Sequence, residues 1–271
     1  MRARSPAPRY VFIGGLHRSG TSLLTDCLAA HPHISCMRGT GAPENEGQHL
    51  QNVYAPASVF GGPGRFGFRE SARLTERSPL VTAARTRLAS CWEPFWDLSK
   101  RVLVEKSPPN LIRMRFLQAV FPGARFVMIM RHPVVVAAAT QKWSRTGLGS
   151  LIEHWLRCHE LLIEDAPVIE HLCVVRYEDL VADPSHTLQG IYSFLNLEPV
   201  APGVDIQTGL NAGYFDYART HHADVIHSTA LESRVRRFGY RLRSLRLTTP
   251  RSRARLYASV ARRAITSAQR Y

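Results

Sequence analysis

The sequence predicts an α/β fold, a P-loop-like three-layer sandwich in which a central parallel sheet is flanked by helices. Short continuously apolar segments, which are typical of strands buried on both faces, alternate along the chain with longer amphipathic segments. A glycine-rich turn joins the first apolar segment to the first amphipathic one. Strands that alternate with helices form parallel sheets, and such sheets bind ligands at the carboxyl ends of their strands.

The first elements stand on either side of the glycine-rich turn. Tyr10 to Gly15 is apolar throughout and predicts a strand, and Ser22 to Ala30 predicts a helix that ends before His31-Pro32. Between Cys36 and Ser78 the periodicity fails, because ten glycines and prolines interrupt it. Since long segments without regular structure are typical of functional loops, we predict an acceptor or lid loop over residues 36–78.

The middle of the chain continues the alternation. Ser78 to Trp92 predicts a helix, Val102 to Glu105 a strand, and Asn110 to Phe121 a helix that Pro122-Gly123 ends. Arg125 to Met130 is a second long apolar strand.

The predicted helix from Val134 to Trp143 has Pro133 in its first turn, where proline is favoured. Leu151 to Asp165 is amphipathic and predicts another helix. Leu172 to Arg176 predicts the last strand, and Asp183-Pro184-Ser185 opens a helix that runs through Leu195.

Size and composition favour one domain over residues 1–271, with a core at about residues 10–200 and a basic amphipathic tail at 240–271. The chain has 271 residues, of which 45% are hydrophobic, enough to bury a core of its own. Its five cysteines have no CxxC spacing, so we predict buried thiols and no metal site. The opening MRARSPAPRY lacks the features of a secretory signal, and no apolar run approaches the ~18 residues of a membrane span, so we expect a cytoplasmic protein.

The net charge of +14 is concentrated in the tail, where nine arginines and no acidic residue occur between positions 241 and 271. Leu256, Val260 and Ala264 form an apolar stripe among these arginines. Such a helix either lies on an anionic membrane surface, here the inner membrane face, or packs on the protein body. The tail arginines lack interleaved aromatic residues and no nucleic-acid-reading motif occurs, so we predict no nucleic-acid partner. Nothing in the sequence predicts an oligomeric state.

The turn GLHRSGTS has the glycine spacing of a phosphate-binding loop without its lysine. Gly15 and Gly20 are five residues apart and Ser22 supplies the final hydroxyl, but Thr21 stands at the lysine position. Backbone N–H groups at such a helix start bind anions. Without the lysine, transfer of a terminal phosphoryl group is disfavoured. The predicted loop contacts are Gly15, His17, Arg18, Ser19, Gly20, Thr21 and Ser22.

Four motifs in order, GGLHRSGTSLL, EKSPP, FPGARFVMIMRHP and VVRYEDLVADP, resemble those of sulfotransferases that use 3′-phosphoadenylyl sulfate. The resemblance covers about residues 10–197 and is closest to the bacterial and protein-tyrosine-like branch. It implies that the loop holds the 5′-phosphosulfate without a metal ion, and that adenosine 3′,5′-bisphosphate is the product. It also implies a hydroxyl-bearing acceptor, which could be a small molecule, a glycolipid or a peptidyl tyrosine.

The resemblance assigns the remaining donor contacts. Arg131 would hold the 3′-phosphate, and a guanidinium suits this because it binds two phosphate oxygens at once. The family serine eight residues later is Ala139 here, so Thr140 either replaces it or the hydroxyl is absent. Tyr177 would lie near the adenine and ribose, although a packing role fits it equally. Arg237 belongs to a C-terminal arginine run that, in related enzymes, closes over the donor.

The catalytic candidates also come from the resemblance. Lys106 would stabilise the bridging oxygen, Ser107 would hydrogen-bond in the same place, and Arg18 would face the sulfuryl group. The alternative for Lys106 is an ion pair with Glu105.

A base must remove the proton of the acceptor hydroxyl. Phenol-type sulfotransferases place a histidine two residues after the lysine, where this chain has Pro108. Tyrosine-type sulfotransferases place a glutamate in the loop after the first helix, where this chain has Glu44 and Glu46. On this resemblance we favour Glu46, then Glu44, with His49 third. A solvated loop carboxylate is the alternative for each glutamate.

Two other functions stay open at this point. One is a kinase-like nucleotide enzyme on the same fold, against which Thr21 argues. The other is a catalytically decayed nucleotide-binding module, which Ala139 favours.

Overall fold

The computed structural model describes residues 9–247, in which five parallel strands form one sheet. The strands are β1 (Arg9–Gly15), β2 (Ile34–Cys36), β3 (Val102–Lys106), β4 (Arg125–Met130) and β5 (Leu172–Arg176). Their order across the sheet is β2-β3-β1-β4-β5. The predicted α/β fold with a parallel sheet is confirmed. The strand β2 was not predicted, because three residues are too few to show a pattern.

Helices follow the strands in the expected alternation. They are α1 (Thr21–Ala29), α2 (Val81–Trp92), α3 (Met114–Val120), α4 (Pro133–Gln141), α5 (Leu148–Asp165), α6 (Tyr177–Ala182), α7 (Pro184–Phe194), α8 (Leu210–His221), α9 (Ala223–Ile226) and α10 (Thr229–Val235). The predicted helix at Asn110 instead opens as a 3-10 turn over Pro108–Ile112, since two prolines stand at its start. Helix α2 likewise begins only at Val81, two residues beyond Pro79.

Side chains alternate between the two faces of each strand, so each face builds its own core layer. Phe12, Leu103 and Phe126 face a core that includes residues of α2, α3, α4 and α5. Val11, Val104 and Val127 face a second core with residues of α1, α6 and α7. The molecule therefore has the predicted three layers, a helical layer on each face of the sheet.

The carboxyl ends of three central strands meet at one edge of the sheet. Ile13 pairs with Lys106 and Gly15 with Ile129, so the turn after β1 lies between the ends of β3 and β4. Met130 pairs with Arg176, which places Arg131 beside Tyr177. Four of the predicted motifs are thus brought to the same edge, as parallel sheets do.

The segment 36–78 forms five short 3-10 turns and no α-helix. Buried side chains of the body bind its backbone. Trp92 Nε1 donates to the Gly47 carbonyl at 3.0 Å, and Arg113 donates to the carbonyls of Ala55 at 2.9 Å and Ala72 at 3.2 Å. The segment is therefore a packed cover over the sheet edge.

The C-terminal prediction extends beyond the described residues. Tyr240 and Leu242 are fully buried against the body, whereas the stripe of Leu256, Val260 and Ala264 lies outside the described residues. Across residues 9–247, no helix combines the length and apolar character that crossing a membrane requires.

Candidate active site

The turn between β1 and α1 has the shape of an anion cradle. Gly20 has φ of 101°, and a Cβ added there would lie 2.6 Å from the Tyr177 ring. A Cβ on Gly15 would lie 2.5 Å from the Ile129 carbonyl oxygen. Helix α1 begins at Thr21 without a side-chain cap, and the buried Ser19 Oγ has no hydrogen-bond partner. Donors without acceptors at a helix N-terminus are suited to an anionic ligand, so the cradle fits the predicted phosphosulfate.

Lys106 ends β3 beside this cradle. Its side chain is 4% exposed, and its Nζ lies 2.6 Å from the Glu44 carbonyl oxygen, 3.5 Å from Ser22 Oγ and 3.5 Å from Glu46 Oε1. The ion pair of Lys106 is therefore with Glu46. Glu105 points to the other face of the sheet, so the pairing considered for it with Lys106 does not form.

The two glutamates of the loop differ in environment. Glu46 is 5% exposed, and burial raises the pKa of its carboxyl, while Lys106 and a hydrogen bond from Gln48 oppose that rise. Glu44 is exposed, and its Oε2 accepts a hydrogen bond from Ser22 Oγ at 3.0 Å. A small cavity of about 100 Å³ has Ser22, Glu44 and Lys106 in its lining. Glu46 is thus no solvated loop carboxylate, whereas Glu44 is.

Two histidines, His17 and His49, lie near Lys106 and Glu46. Neither stands at the position of the phenol-type histidine, two residues after the lysine. His49 Nε2 is 3.7 Å from Glu46 Oε2. His17 packs against the Phe66 ring, and burial together with the charges of Lys106 and His49 lowers its pKa to about 4. His17 therefore stays neutral at physiological pH. His17 was predicted as a loop contact, but its proximity to His49 could not be predicted, because residues 17 and 49 meet only through the fold.

Ser107 is not brought to the lysine. It is fully buried, its hydroxyl donates to Glu105 Oε1 at 2.5 Å, and it accepts from the Gln48 N–H at 3.0 Å. Successive residues of an extended chain point to opposite sides. Ser107 therefore shares the side of Glu105, opposite to Lys106.

Arg131 is 6% exposed and lies at the carboxyl end of β4. Its Nε donates to Asn211 Oδ1 at 2.8 Å, and its Nη1 donates to the Arg18 carbonyl at 3.0 Å. The guanidinium stacks 4.0 Å above the Tyr177 ring, and burial lowers the pKa of Arg131. Its buried Nη2 has no partner. Arg131 is thus buried at the site, and it retains a donor that fits a phosphate oxygen.

Tyr177 links Arg131 to the cradle. Its ring is buried and lies between the Arg131 guanidinium and Gly20, which explains why that position has no side chain.

Four other predicted residues have the following surroundings. Ala139 is buried, and the Thr140 methyl group lies toward Gly64 of the cover segment. The Arg18 guanidinium stacks 4.6 Å above the Trp143 ring. The described contact of Arg237 is an ion pair at 3.9 Å with Glu160 of α5, and none joins it to Arg131.

A cavity of about 450 Å³ lies between α4 and α8, with Gln141, Lys142, Tyr214 and Tyr217 in its lining. Burial raises the pKa of Tyr214, but a hydrogen bond from Arg18 and the charges of Lys142 and Arg131 bring it below its ordinary value. Tyr214 of this cavity therefore lies among the positive charges of Arg18, Lys142 and Arg131. Within residues 9–247, no three His, Cys, Asp or Glu side chains group as a metal site would require.

The sequence matches the profile of the sulfotransferase family over residues 8–202. Among curated relatives, protein-tyrosine sulfotransferase 1 of Danio rerio is 25% identical over 196 residues, which cover 69% of this chain and 53% of the relative. Omega-hydroxy-beta-dihydromenaquinone-9 sulfotransferase Stf3 of Mycobacterium bovis is 27% identical over 213 residues, covering 70% of this chain and 51% of the relative. The chain thus spans about half the length of these relatives.

Among solved structures, the sulfotransferase domain from the curacin biosynthetic pathway superposes with a TM-score of 0.51 at 19% identity. The superposition covers 87% of this chain and 99% of that domain, and it shows a shared fold. The family match extends over most of the chain and includes the cradle, Lys106, Arg131 and Tyr177. The chain therefore belongs to the sulfotransferase family.

Proposed function

We propose that the protein transfers a sulfuryl group from 3′-phosphoadenylyl sulfate to the hydroxyl of an acceptor. The observation that carries this proposal is the buried pair of Lys106 and Glu46, 3.5 Å apart, beside a lysine-free anion cradle. A cation and a base are then available on the same side of the cradle. A module that only binds nucleotides has no need for this pair, so the intact pair supports an active enzyme.

The donor contacts follow from the unsatisfied donors of the site. The N–H groups at the start of α1 and Ser19 Oγ would hold the 5′-phosphosulfate, and Arg131 Nη2 would hold the 3′-phosphate. Tyr177 supports both by packing against Gly20 and Arg131. When bound, the donor supplies a sulfuryl group on a phosphate leaving group. Thr21 fits such a donor, since no γ-phosphate needs a lysine.

The chain's residues supply the proton transfer and the charge stabilisation. Glu46 accepts the proton of the acceptor hydroxyl as the new oxygen–sulfur bond forms. Lys106 stabilises the electron pair left on the phosphate oxygen when its bond to sulfur breaks. Burial raises the pKa of Glu46, which makes it a stronger base than an exposed glutamate.

The acceptor is proposed at the level of its reacting group. The names of the two relatives include protein tyrosine and an omega-hydroxy menaquinone, that is, a phenol and an alcohol. We infer an acceptor hydroxyl that reaches Glu46 beneath the 36–78 cover.

The test is transfer from labelled donor to molecules of a host extract, followed by mass analysis of the products. Glu46→Gln, which removes the base and keeps the shape, should lower turnover by a factor of 10² or more. Glu44→Gln is the matched control, because the Glu44 side chain is exposed and its hydrogen bond is from Ser22 Oγ, while the carbonyl that Lys106 binds is kept. Near wild-type turnover of Glu46→Gln with donor binding intact would exclude Glu46 as the base.

A further inference from the structure

Gln48 lies directly behind the proposed base and is 1% exposed. Its Nε2 donates to Glu46 Oε2 at 2.5 Å, and its Oε1 accepts from the Ala57 N–H at 2.8 Å. Its own backbone N–H donates to Ser107 Oγ at 3.0 Å. Both ends of the side chain and the backbone are therefore bound to fixed partners.

The contact with Ala57 decides which way the amide points. A backbone N–H can only donate, so the amide oxygen must face Ala57 and the amide nitrogen must face Glu46. Glu46 Oε2 then has to accept a hydrogen bond and cannot carry a proton directed at Gln48. The contact selects the ionised carboxylate, and it leaves Glu46 Oε1 toward Lys106.

The backbone of Gln48 is anchored to the sheet through a second buried carboxyl. Ser107 donates to Glu105 Oε1, and Asn110 Nδ2 donates to Glu105 Oε2 at 2.6 Å. Asn110 Nδ2 also donates to the Ile13 carbonyl of β1 at 3.0 Å. A Cβ on Gly47 would lie 2.6 Å from Glu105, so only glycine allows this close approach of the loop.

We propose that Gln48 is a positioning residue, which holds Glu46 ionised and directed toward Lys106 through an amide whose orientation Ala57 sets. This proposal rests on the proposed function, in which Glu46 is the base. It goes further, because it adds to the charge of Lys106 a neutral side chain that lowers the proton affinity of the base.

The proposal has a pH signature. Burial disfavours the charged form of Glu46, and the Gln48 amide is one of the groups that oppose this. Loss of a hydrogen bond to a charged group corresponds to about one pH unit. Without the amide donor, the acid limb of the kcat/KM profile should move to higher pH by about one pH unit. The value of kcat/KM should then fall about tenfold at low pH and recover at high pH. A merely structural role would lower turnover equally at every pH.

The test uses the full chain with Gln48→Glu, which still accepts from Ala57 but places an acceptor where Glu46 needs a donor. Gln48→Met, which removes both contacts, is the second variant. The matched control is Gln51→Met. Gln51 hydrogen-bonds to the Gln48 carbonyl and to the backbone of Val53 and Tyr54 in the same loop, and none of these bonds involves Glu46.

The readouts are the pH profile with labelled donor and the ¹³C NMR titration of the Glu46 carboxyl, assigned with Glu46→Gln. Both Gln48 variants should raise the titration midpoint by about one unit or more, and Gln51→Met should not. An unchanged Glu46 midpoint in either folded Gln48 variant would overturn the proposal. The NMR titration does not depend on turnover. An inactive wild type would therefore contradict the proposed function, while the NMR midpoints would still test the effect of Gln48 on Glu46.

Discussion

Burial gives Lys106 and Glu46 their chemical properties. Their side chains are 4% and 6% exposed, so water screens their charges far less than it would on a surface. Removing two charges from water is costly, and a buried pair is stable only when hydrogen bonds satisfy it. The Glu44 carbonyl satisfies Lys106, and the Gln48 amide satisfies Glu46.

Gly20 provides a test of the cradle at the level of one atom. Gly20→Ala should destabilise the fold by about 1–2 kcal/mol, because alanine disfavours the left-handed conformation of this position. The added Cβ should also displace the Tyr177 ring. We expect binding of adenosine 3′,5′-bisphosphate, measured by calorimetry, to fall at least tenfold. Gly39→Ala is the control, because Gly39 has φ of 63° and an added Cβ meets nothing within 4 Å. Equal nucleotide affinity in the two folded variants would contradict the close packing of Tyr177 on the cradle.

Glu105 predicts a pH dependence of stability. Burial raises its pKa from 4.5 to about 7, so the folded state favours the protonated form. The stability contributed by Glu105 is therefore fully present below pH 4.5 and is lost as the pH rises through about 7. The linked free energy of unfolding is about 3 kcal/mol at most.

Glu105→Gln cannot ionise and should lack this dependence. In urea unfolding between pH 4.5 and pH 8, the wild type should lose stability relative to the variant as the pH rises. Parallel stability curves for the two proteins would show that Glu105 does not titrate in this range.

At the scale of elements, the 36–78 segment lies closed over the site because side chains of the body bind its backbone. Arg113 is 1% exposed, donates to the carbonyls of Ala55 and Ala72, and stacks 4.6 Å from the Tyr54 ring. A segment with little regular structure can hold Glu46 in place only through such contacts.

Arg113→Met should release this segment. Two buried carbonyls would lose their donors, at a cost of about 1–3 kcal/mol each. Hydrogen exchange across residues 47–72 should accelerate more than exchange in the sheet. Arg87→Met is the control, because exposed Arg87 binds Asn52 of the same segment at the surface. Uniform acceleration throughout the chain would contradict a specific role of Arg113 in the segment.

The elements that the sequence predicted are those whose pattern is local. The strands β4 and β5 have the predicted bounds because each is one apolar run. Helices α9 and α10 were not predicted because they are short, and the 12-residue α8 was not predicted because it buries only Phe215 and Ala218. The alternation of strand residues could have separated Ser107 from Lys106, had the strand been followed past Glu105.

The site was predicted as a set of residues and not as a set of contacts. Lys106, Glu46, Arg131 and the cradle were named from motifs, but the Lys106–Glu46 pair comes from chain packing. Gln48 and Asn211 belong to no motif, because their roles follow from which partners surround them. Arg237 was expected from its place in an arginine run, yet its partner Glu160 lies on α5.

For the whole molecule, the order of the strands explains how the site is divided. The cradle after β1 lies centrally, Lys106 lies on the β3 side, and Arg131 and Tyr177 lie on the β4 and β5 side. A donor nucleotide would then extend from the cradle toward Arg131, which leaves the β3 side with Glu46 for the acceptor. In the proposed function, the two reactants would therefore approach the cradle from opposite directions.

The central claim is that this edge of the sheet binds a sulfuryl-donor nucleotide, and calorimetric titration with its product tests this most directly. Adenosine 3′,5′-bisphosphate should bind without magnesium, more tightly than adenosine 5′-monophosphate and than ATP with magnesium. Arg131→Met should remove the preference for the 3′-phosphate, and the affinity for adenosine 3′,5′-bisphosphate should fall about tenfold or more. Tighter binding of ATP with magnesium, or an unchanged 3′-phosphate preference in Arg131→Met, would contradict the account.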